Sequence, residues 1–232
     1  MARHAAITGI QGGSPTLVVF RNRLWLVWHG LFSSQLWIAH SEDGLHWEGI
    51  QKIARQEAWN TAITVYNNTL FMVYADSGSS QLWMSQSADG STWINTRHID
   101  GQMTTNPAVT TFENKVVLVY VHPSLNSSTL FVSTFTSQHG WTPAEVISGQ
   151  QASAPALTTF GNCLFMTYSE PNNSQQLWAS RSFDPNGINW QDTQQLPSQH
   201  GDIPSLCIFN NSAPWYIETE SNFGPQIANK PT

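Results

Sequence analysis

Short segments of alternating apolar and polar residues recur along the chain, and each is followed by the same kind of turn. The clearest copy, Gln35 to Trp47, reads Q-L-W-I-A-H-S-E-D-G-L-H-W. It returns at Gln81 to Trp93 and, with two extra residues in the turn, at Gln176 to Trp190, while a fourth copy at Thr129 to Trp141 has no Asp. Alternation followed by an Asp-Gly turn and a Trp predicts a strand, a tight turn and the start of the next strand.

A second repeated segment precedes each of these copies and ends in an aromatic residue. A further apolar strand follows it after a short polar turn, so each repeat holds four short strands. No window keeps a 3.6-residue period, and we therefore predict an all-β chain with almost no helix. The closing aromatics are spaced about 46 to 49 residues apart, the repeat length of a β-propeller blade, and they are Phe20, Tyr66, Phe112, Phe160 and Phe209.

The repeats account for the whole chain. Residues His4 to Gln11 stand where a fourth strand stands before the other repeats, so we expect the N-terminal strand to complete the last blade and remove its exposed edge. The sequence thus predicts a single domain, 1–232, folded as a five-bladed β-propeller with four antiparallel strands per blade. The approximate repeats are 12–54, 55–101, 102–149, 150–198 and 199–232, the last completed by 1–11.

Composition excludes several classes of function. With 9 basic and 15 acidic side chains the net charge is -6, so no surplus of Lys and Arg is present to neutralise nucleic-acid phosphates. No apolar run approaches the roughly 20 residues of a membrane span, and the N-terminus is too short and polar for a signal peptide. We expect a soluble protein without membrane insertion, either cytoplasmic or secreted by a non-classical route.

Cysteine and histidine usage gives no sign of a metal, a cofactor or a redox site. Cys163 and Cys207 lie in apolar strand contexts, which favours buried free thiols over a bridge or a reactive site. The eight His residues show no metal-ligand spacing, and no Gly-rich phosphate loop is present. We predict no metal and no cofactor.

The repeated turn is explained by its own geometry. In the first copy the carboxylate of Asp43 can accept backbone N–H groups and Gly44 can supply a positive φ. Together with Ser41 and Trp47 these residues resemble the Asp-box of sialidases and other propellers, S-x-D-x-G-x-x-W. The first two copies are one residue shorter than that pattern and the third is one longer. In that family the box is a structural fastening, so the resemblance favours the fold and implies no chemistry. The aromatics of the third strands are expected to pack between blades: Trp37, Trp83, Phe131 and Trp178.

The loops at the other end of the strands vary more and carry the candidate binding groups. Amides, hydroxyls and single carboxylates around an aromatic ring suit a sugar, which has hydroxyls at its rim and a flat face of C–H bonds. The Gln that recurs before each first strand is equally explained as a loop cap or a solvated side chain, and Trp59 is equally explained as core packing. The candidate ligand-binding residues are Gln56, Trp59, Asn60, Asp76, Gln102, Asn106, His122, Gln150, Glu170, Gln199 and Asp202.

Three functions follow from this pattern. The repeat length and blade number resemble the propeller lectins, of which the tachylectin type has five blades, and this implies a non-catalytic protein that binds glycans at several equivalent sites. Arabinanase-like hydrolases also resemble this architecture, but they place three carboxylates on inner strands, where this chain has none; sialidases use an arginine cluster that is not visible here. A hydrolase with an acid/base pair and a protein-interaction scaffold remain the alternatives to the lectin. The carboxylates available for such a pair are Glu57, Asp76, Glu170 and Asp202.

Overall fold

The structure is a computed structural model that describes residues 10–123, 128–171, 175–201, 204–207, 215–220 and 223–227. Its internal contacts divide the chain into two compact units, Met1–Thr105 and Asn106–Thr232. Every regular element in the described ranges is a β-strand, which confirms the all-β prediction. These ranges contain no helix that is long and apolar enough to cross a membrane.

The first unit is one continuous antiparallel ladder in which the strands pair in chain order from β1 to β7. The fourth strand belongs to two sheets, because Glu57 pairs with Gln35 of β3 whereas the next residue, Ala58, pairs with Asp76 of β5. The strands are β1 (Gly12–Phe20), β2 (Arg23–Gly30), β3 (Gln35–Ser41), β4 (Glu48–Tyr66), β5 (Thr69–Asp76), β6 (Gln81–Ser87) and β7 (Trp93–Met103).

The length of β4 follows from the residues that join two repeats. The linking stretch 55–60 reads R-Q-E-A-W-N and contains neither Pro nor Gly, so no residue in it interrupts an extended backbone. A positive φ of 60 at Arg55 and register shifts on both partner ladders allow the strand to pass from one sheet to the next. By contrast, β7 ends at Met103 before T-T-N-P, where Pro107 has no N–H to donate to a ladder.

The second unit is described as three antiparallel sheets. One has the order β11-β10-β9-β8 with β12 also on β10, the next the order β13-β14-β15-β16, and the last the order β17-β18-β19. The strands are β8 (Ala108–Phe112), β9 (Lys115–Val121), β10 (Thr129–Thr136), β11 (Gly140–Trp141), β12 (Glu145–Gln151), β13 (Pro155–Phe160), β14 (Cys163–Ser169), β15 (Gln176–Ser182), β16 (Gln191–His200), β17 (Ser205–Cys207), β18 (Trp215–Glu220) and β19 (Phe223–Ile227).

Each unit has its own apolar core between consecutive sheets. In the first unit Val27 and Ile38 of one sheet pack with Met72 of the next, and Trp83 lies against this cluster. In the second unit the core combines residues of β9 and β10 with residues of β14, and Trp178 lies against it. Full burial of an aliphatic side chain contributes about 1.5 to 3 kcal/mol, so these cores supply the main force that holds the sheets together.

Several predictions concern parts of the chain beyond these elements. Most of the segment His4 to Gln11 lies outside the described residues, so ring closure by the N-terminal strand, five blades and a single domain stay predictions. Cys163 is a buried free thiol, as predicted. The side chain of Cys207 is not among those described.

Candidate functional site

The sheets of the first unit end in two different kinds of turn. In the first sheet Leu24 lies opposite Ser41, whereas His29 lies opposite Leu36, so the repeated Ser-Asp-Gly turn and the 30–34 turn are at opposite ends of the strands. We call the end with the repeated turn the box edge. The opposite end of the strands is called the loop edge of each unit; in the first unit it carries the turns after β2 and β5, and in the second unit the turns after β9 and β14.

The box edge is occupied by self-contained turns. Asp89 Oδ1 accepts the backbone N–H groups of Ser91 and Thr92, each at 2.8 Å. Ser87 Oγ accepts the N–H of Gly90 at 2.8 Å, and Gly90 has a φ of 77. The Thr92 and Ser91 N–H groups hold the pKa of Asp89 well below its usual range, so this carboxylate serves the turn. The turns around Asp43 and Asp184 accept backbone N–H groups in the same way.

At the loop edge of the first unit, Asp76 ends β5 with one carboxylate oxygen fixed. Its Oδ1 accepts from Gly78 N at 3.1 Å, Ser79 N at 2.9 Å and Ser79 Oγ at 2.8 Å. No described residue donates a hydrogen bond to Oδ2. Partial burial raises the pKa of Asp76, but the bonds from Ser79 and Gly78 and the nearby His98 outweigh it and lower the pKa below its usual value. Asp76 is therefore an oriented, ionised carboxylate at neutral pH.

Two exposed side chains flank Ala58, the residue opposite Asp76. Ala58 is fully buried, whereas Glu57 and Trp59 are exposed, as alternation along an extended strand requires. Glu57 Oε2 accepts from Ser34 Oγ at 3.2 Å. Glu57 therefore projects from the side of β4 opposite to Ala58 and Asp76, and the two carboxylates do not face one another across a shared site.

In the second unit, His122 and Glu170 stand two residues after Tyr120 and Tyr168, as Asp76 stands two residues after Tyr74 in the first. His122 is half-buried and meets Phe131 at a ring-centroid distance of 6.3 Å. Glu170 is half-buried, and its N–H donates to Gln176 O at 2.9 Å. Burial, and then the charge of Glu170, raise the pKa of Tyr168 to about 12. A polar side chain thus recurs at this position in three of the repeats.

The recurring Gln residues whose side chains the structure describes are buried within the fold. Gln56 is 2% exposed, and its Nε2 donates to Ser85 Oγ at 2.9 Å and to Thr96 Oγ1 at 3.4 Å. Gln150 makes the same pair of bonds, to Ser180 Oγ at 2.8 Å and Thr193 Oγ1 at 3.1 Å. Gln102 is also buried. This geometry gives no support to the predicted role of these amides in ligand binding.

A second set of Gln side chains was not recognised in the sequence. Gln35, the first residue of the Q-L-W segment, donates from Nε2 to Ile53 O at 2.8 Å and Gln56 O at 3.2 Å. These carbonyls lie at the register shift between β3 and β4. Gln81 and Gln176 repeat the arrangement at the corresponding shifts. The invariance of Gln before Leu-Trp in three copies was the signal that could have revealed this role.

The remaining candidates are dispersed. Asn60 and Asn106 are half-buried residues beside the first strands of their sheets. The side chain of Gln199 and the whole of Asp202 lie outside the described residues, so their ligand roles stay predictions. Within the described ranges no group of three or more His, Cys, Asp or Glu residues is arranged to hold a metal ion.

No family model and no curated protein matches this chain. Solved structures do match it. A protein described as Bacteroides ovatus xyloglucan PUL GH43B superposes with a TM-score of 0.69 at 14% identity, over 93% of this chain and 49% of its own. An exo-β-1,3-galactanase from Clostridium thermocellum gives a TM-score of 0.66 at 12% identity, over 91% and 56%. The GH43_1 enzyme from Xanthomonas citri complexed with xylose gives 0.66 at 13%, over 91% and 83%.

The fold is propeller-like. At these identities the likeness concerns the fold alone, and the chain spans about half of the length of the first two structures. The first strands β1, β8 and β13 carry no Asp or Glu, as the sequence predicted.

The prediction of a non-catalytic lectin, and with it the prediction that the chain is not an enzyme, is wrong. The structural neighbours are glycoside hydrolases, including a thermostable family-43 enzyme that matches 97% of this chain. The lectin hypothesis relied on repeat length and blade number, which propellers of many functions share. The Asp-box pattern did not separate them either, because it describes turns at the box edge.

Proposed function

We propose that this chain is a glycoside hydrolase on a five-bladed propeller, acting on glycosides of neutral sugars. The observation that carries this function is an oriented, half-buried carboxylate, Asp76, at the loop edge of a fold shared with family-43 glycoside hydrolases. The Xanthomonas citri neighbour is described as complexed with xylose and the Clostridium thermocellum neighbour as a galactanase, which favours pentose and hexose substrates without charge.

Asp76 is assigned the role of general base. In hydrolysis the oxygen of a water molecule bonds to the anomeric carbon, the bond from that carbon to the leaving oxygen breaks, and the leaving oxygen takes up a proton. A carboxylate with a lowered pKa is ionised and accepts the proton that the attacking water loses. The hydrogen bonds from Gly78 and Ser79 to Oδ1 fix the group, so that Oδ2 remains to receive that proton.

Glu170 is the equivalent carboxylate of the second unit and is the second candidate for a catalytic role. It stands two residues after Tyr168 as Asp76 stands two residues after Tyr74, and each of these buried Tyr residues lies opposite a Trp of the third strand. Glu57 is not assigned a catalytic role, because β4 directs it away from Asp76.

The test is turnover of aryl glycosides of xylose, arabinose and galactose by the purified chain. Asp76→Asn and Glu170→Gln keep the shape of each side chain and remove its charge, and loss of a general acid or base lowers kcat about 100-fold or more. Asp100→Asn is the matched control, because Asp100 is exposed on β7 and its carboxylate accepts no hydrogen bond from a described residue. Absence of turnover on the whole panel, or full activity in both variants, would overturn the assignment.

A further inference from the structure

Trp59 presents a half-exposed indole at the loop edge of the first unit. It is 48% exposed. Its ring packs against the imidazole of His29 in a T-shaped arrangement, with a centroid distance of 5.2 Å and an interplanar angle of 81°. An indole held on one side and open on the other is a rigid apolar surface, since little rotamer freedom remains to be lost when a ligand packs on it.

The position of His29 is itself fixed. Its Nδ1 lies 3.0 Å from Gly30 O and 3.2 Å from Ser33 O, and because both partners are carbonyl oxygens this nitrogen carries the proton and donates. On β1 the ring lies over Gly13, where a Cβ would be only 2.5 Å from His29 Nε2. Gly13 thus makes room for the imidazole, and the imidazole supports Trp59.

Polar groups neighbour Trp59 on β4 and in the turn between β2 and β3. Glu57 shares the exposed side of β4 with Trp59, two residues away. Its Oε2 is joined to Ser34 Oγ at 3.2 Å, and Ser34 O accepts the N–H of Ala58 at 2.7 Å. A carboxylate and a hydroxyl at the rim of an aromatic face supply acceptors and donors for the hydroxyls of a sugar, while the indole packs on its C–H face.

We propose that Trp59, with Glu57 and Ser34, is an accessory subsite that binds one ring of an oligosaccharide substrate on the side of β4 opposite to Asp76, away from the bond that is hydrolysed. This assignment rests on the function proposed above and adds to it a preference for chains of two or more neutral sugars. The separation of roles comes from β4, which places Asp76 and Ala58 on one side and the Trp59 subsite on the other. Small glycosides with one sugar do not reach it.

The first experiment compares steady-state kinetics on aryl xyloside with kinetics on xylotriose and β-1,3-galactotriose. Trp59→Ala is expected to raise KM for the trisaccharide that is cleaved about fivefold to tenfold, the loss of roughly one aromatic contact. On the aryl glycoside its kcat and KM stay within about twofold. Trp59→Phe keeps an aromatic face and recovers most of the affinity. Phe183→Ala serves as the control, because it removes an aromatic side chain that is 45% exposed at the box edge. It should change kcat and KM for neither substrate.

The second experiment measures binding without turnover. The same two trisaccharides, as uncleavable thioglycosides, are titrated into each variant, and calorimetry measures their affinity. Gly13→Ala is included because it displaces His29 and so removes the support of Trp59. Weaker binding by Trp59→Ala and Gly13→Ala, with unfolding midpoints close to that of the unmodified chain, supports the subsite. This result supports it even if no glycoside is hydrolysed, and then only the proposed hydrolase function fails. Equal affinity of Trp59→Ala and the unmodified chain, or no binding of either trisaccharide, overturns the subsite even if hydrolysis is found.

Discussion

Gly90 lies directly against the indole of Trp25. A Cβ built at Gly90 would be 1.9 Å from Trp25 Cζ3, and Gly90 has a φ of 77. Trp25 cannot move away freely, because its Nε1 donates to Phe20 O at 3.1 Å and its ring is buried in the core of the first unit. The turn of the second sheet therefore closes on the strand β2 of the first sheet only if residue 90 has no side chain.

Gly90→Ala is expected to lower the free energy of unfolding by about 3 kcal/mol, because backbone strain and a collision with a fixed ring add together. Gly101→Ala is the matched control: Gly101 has a φ of 71 but nothing within 4 Å of its Cβ direction. It should cost only about 1 to 2 kcal/mol of strain. Urea unfolding followed by Trp fluorescence measures both, and equal losses would contradict the packing explanation.

Gln176→Leu tests the amide clamp at the register shift between β15 and β16. The Nε2 of Gln176 donates to Leu196 O at 2.7 Å and Leu177 O at 3.1 Å, so its loss leaves buried carbonyls without a donor. We expect a decrease of about 2 kcal/mol in the free energy of unfolding. Gln194→Leu, on the exposed surface of β16, should change it by less than about 0.5 kcal/mol. An equally small effect at both positions would show that the clamp is dispensable.

Asp89 makes stability depend on pH in a defined direction. The N–H groups of Thr92 and Ser91 lower the pKa of Asp89 in the folded chain below that of an ordinary Asp carboxyl. The folded state therefore binds the proton less readily than the unfolded state, and the contribution of Asp89 is complete above pH 4 to 5 and declines as the pH falls below about 4. Asp89→Asn should lower the urea midpoint at pH 7, and the difference from the unmodified chain should shrink at pH 3. A difference that is the same at both pH values would contradict this linkage.

The thiol of Cys163 should be protected in the folded chain. Burial raises its pKa, and the thiol lies 3.3 Å from Phe160 O. Since the thiolate is the reactive form, iodoacetamide at pH 8 should leave Cys163 unmodified until urea unfolds the chain. Peptide mapping by mass spectrometry distinguishes it from Cys207. Rapid labelling of Cys163 without urea would mean that its sheet opens locally.

The local pattern of the sequence was sufficient for the strands and the turns. Strands are predicted from an alternation with a period of two residues, and the contacts of Asp89 with Ser91 and Thr92 span at most three residues. Strands and turns can therefore both be predicted from the local sequence. The sequence predicted two separate strands in the region that β4 occupies. The structure has one extended backbone there, which contains no Pro or Gly at the junction and enters both sheets.

Long-range roles were harder to infer. Gln56 is a polar residue in a linking segment, which predicted a solvated or ligand-binding side chain. It is buried because it donates hydrogen bonds to Ser85 and Thr96 of the next sheet, about 30 to 40 residues further along the chain. The class of function was mistaken for a related reason. The solved structures that match this chain are only 11 to 14% identical to it, so the similarity is visible in the fold and not in the sequence.

The passage of β4 through both sheets of the first unit also determines how that unit comes apart. A break in the hydrogen bonds on either flank strips partners from the same backbone, so the two repeats cannot melt one after the other as independent modules do. Amide exchange should accordingly report one shared opening reaction for β3, β4 and β5, with no intermediate in which a single repeat survives.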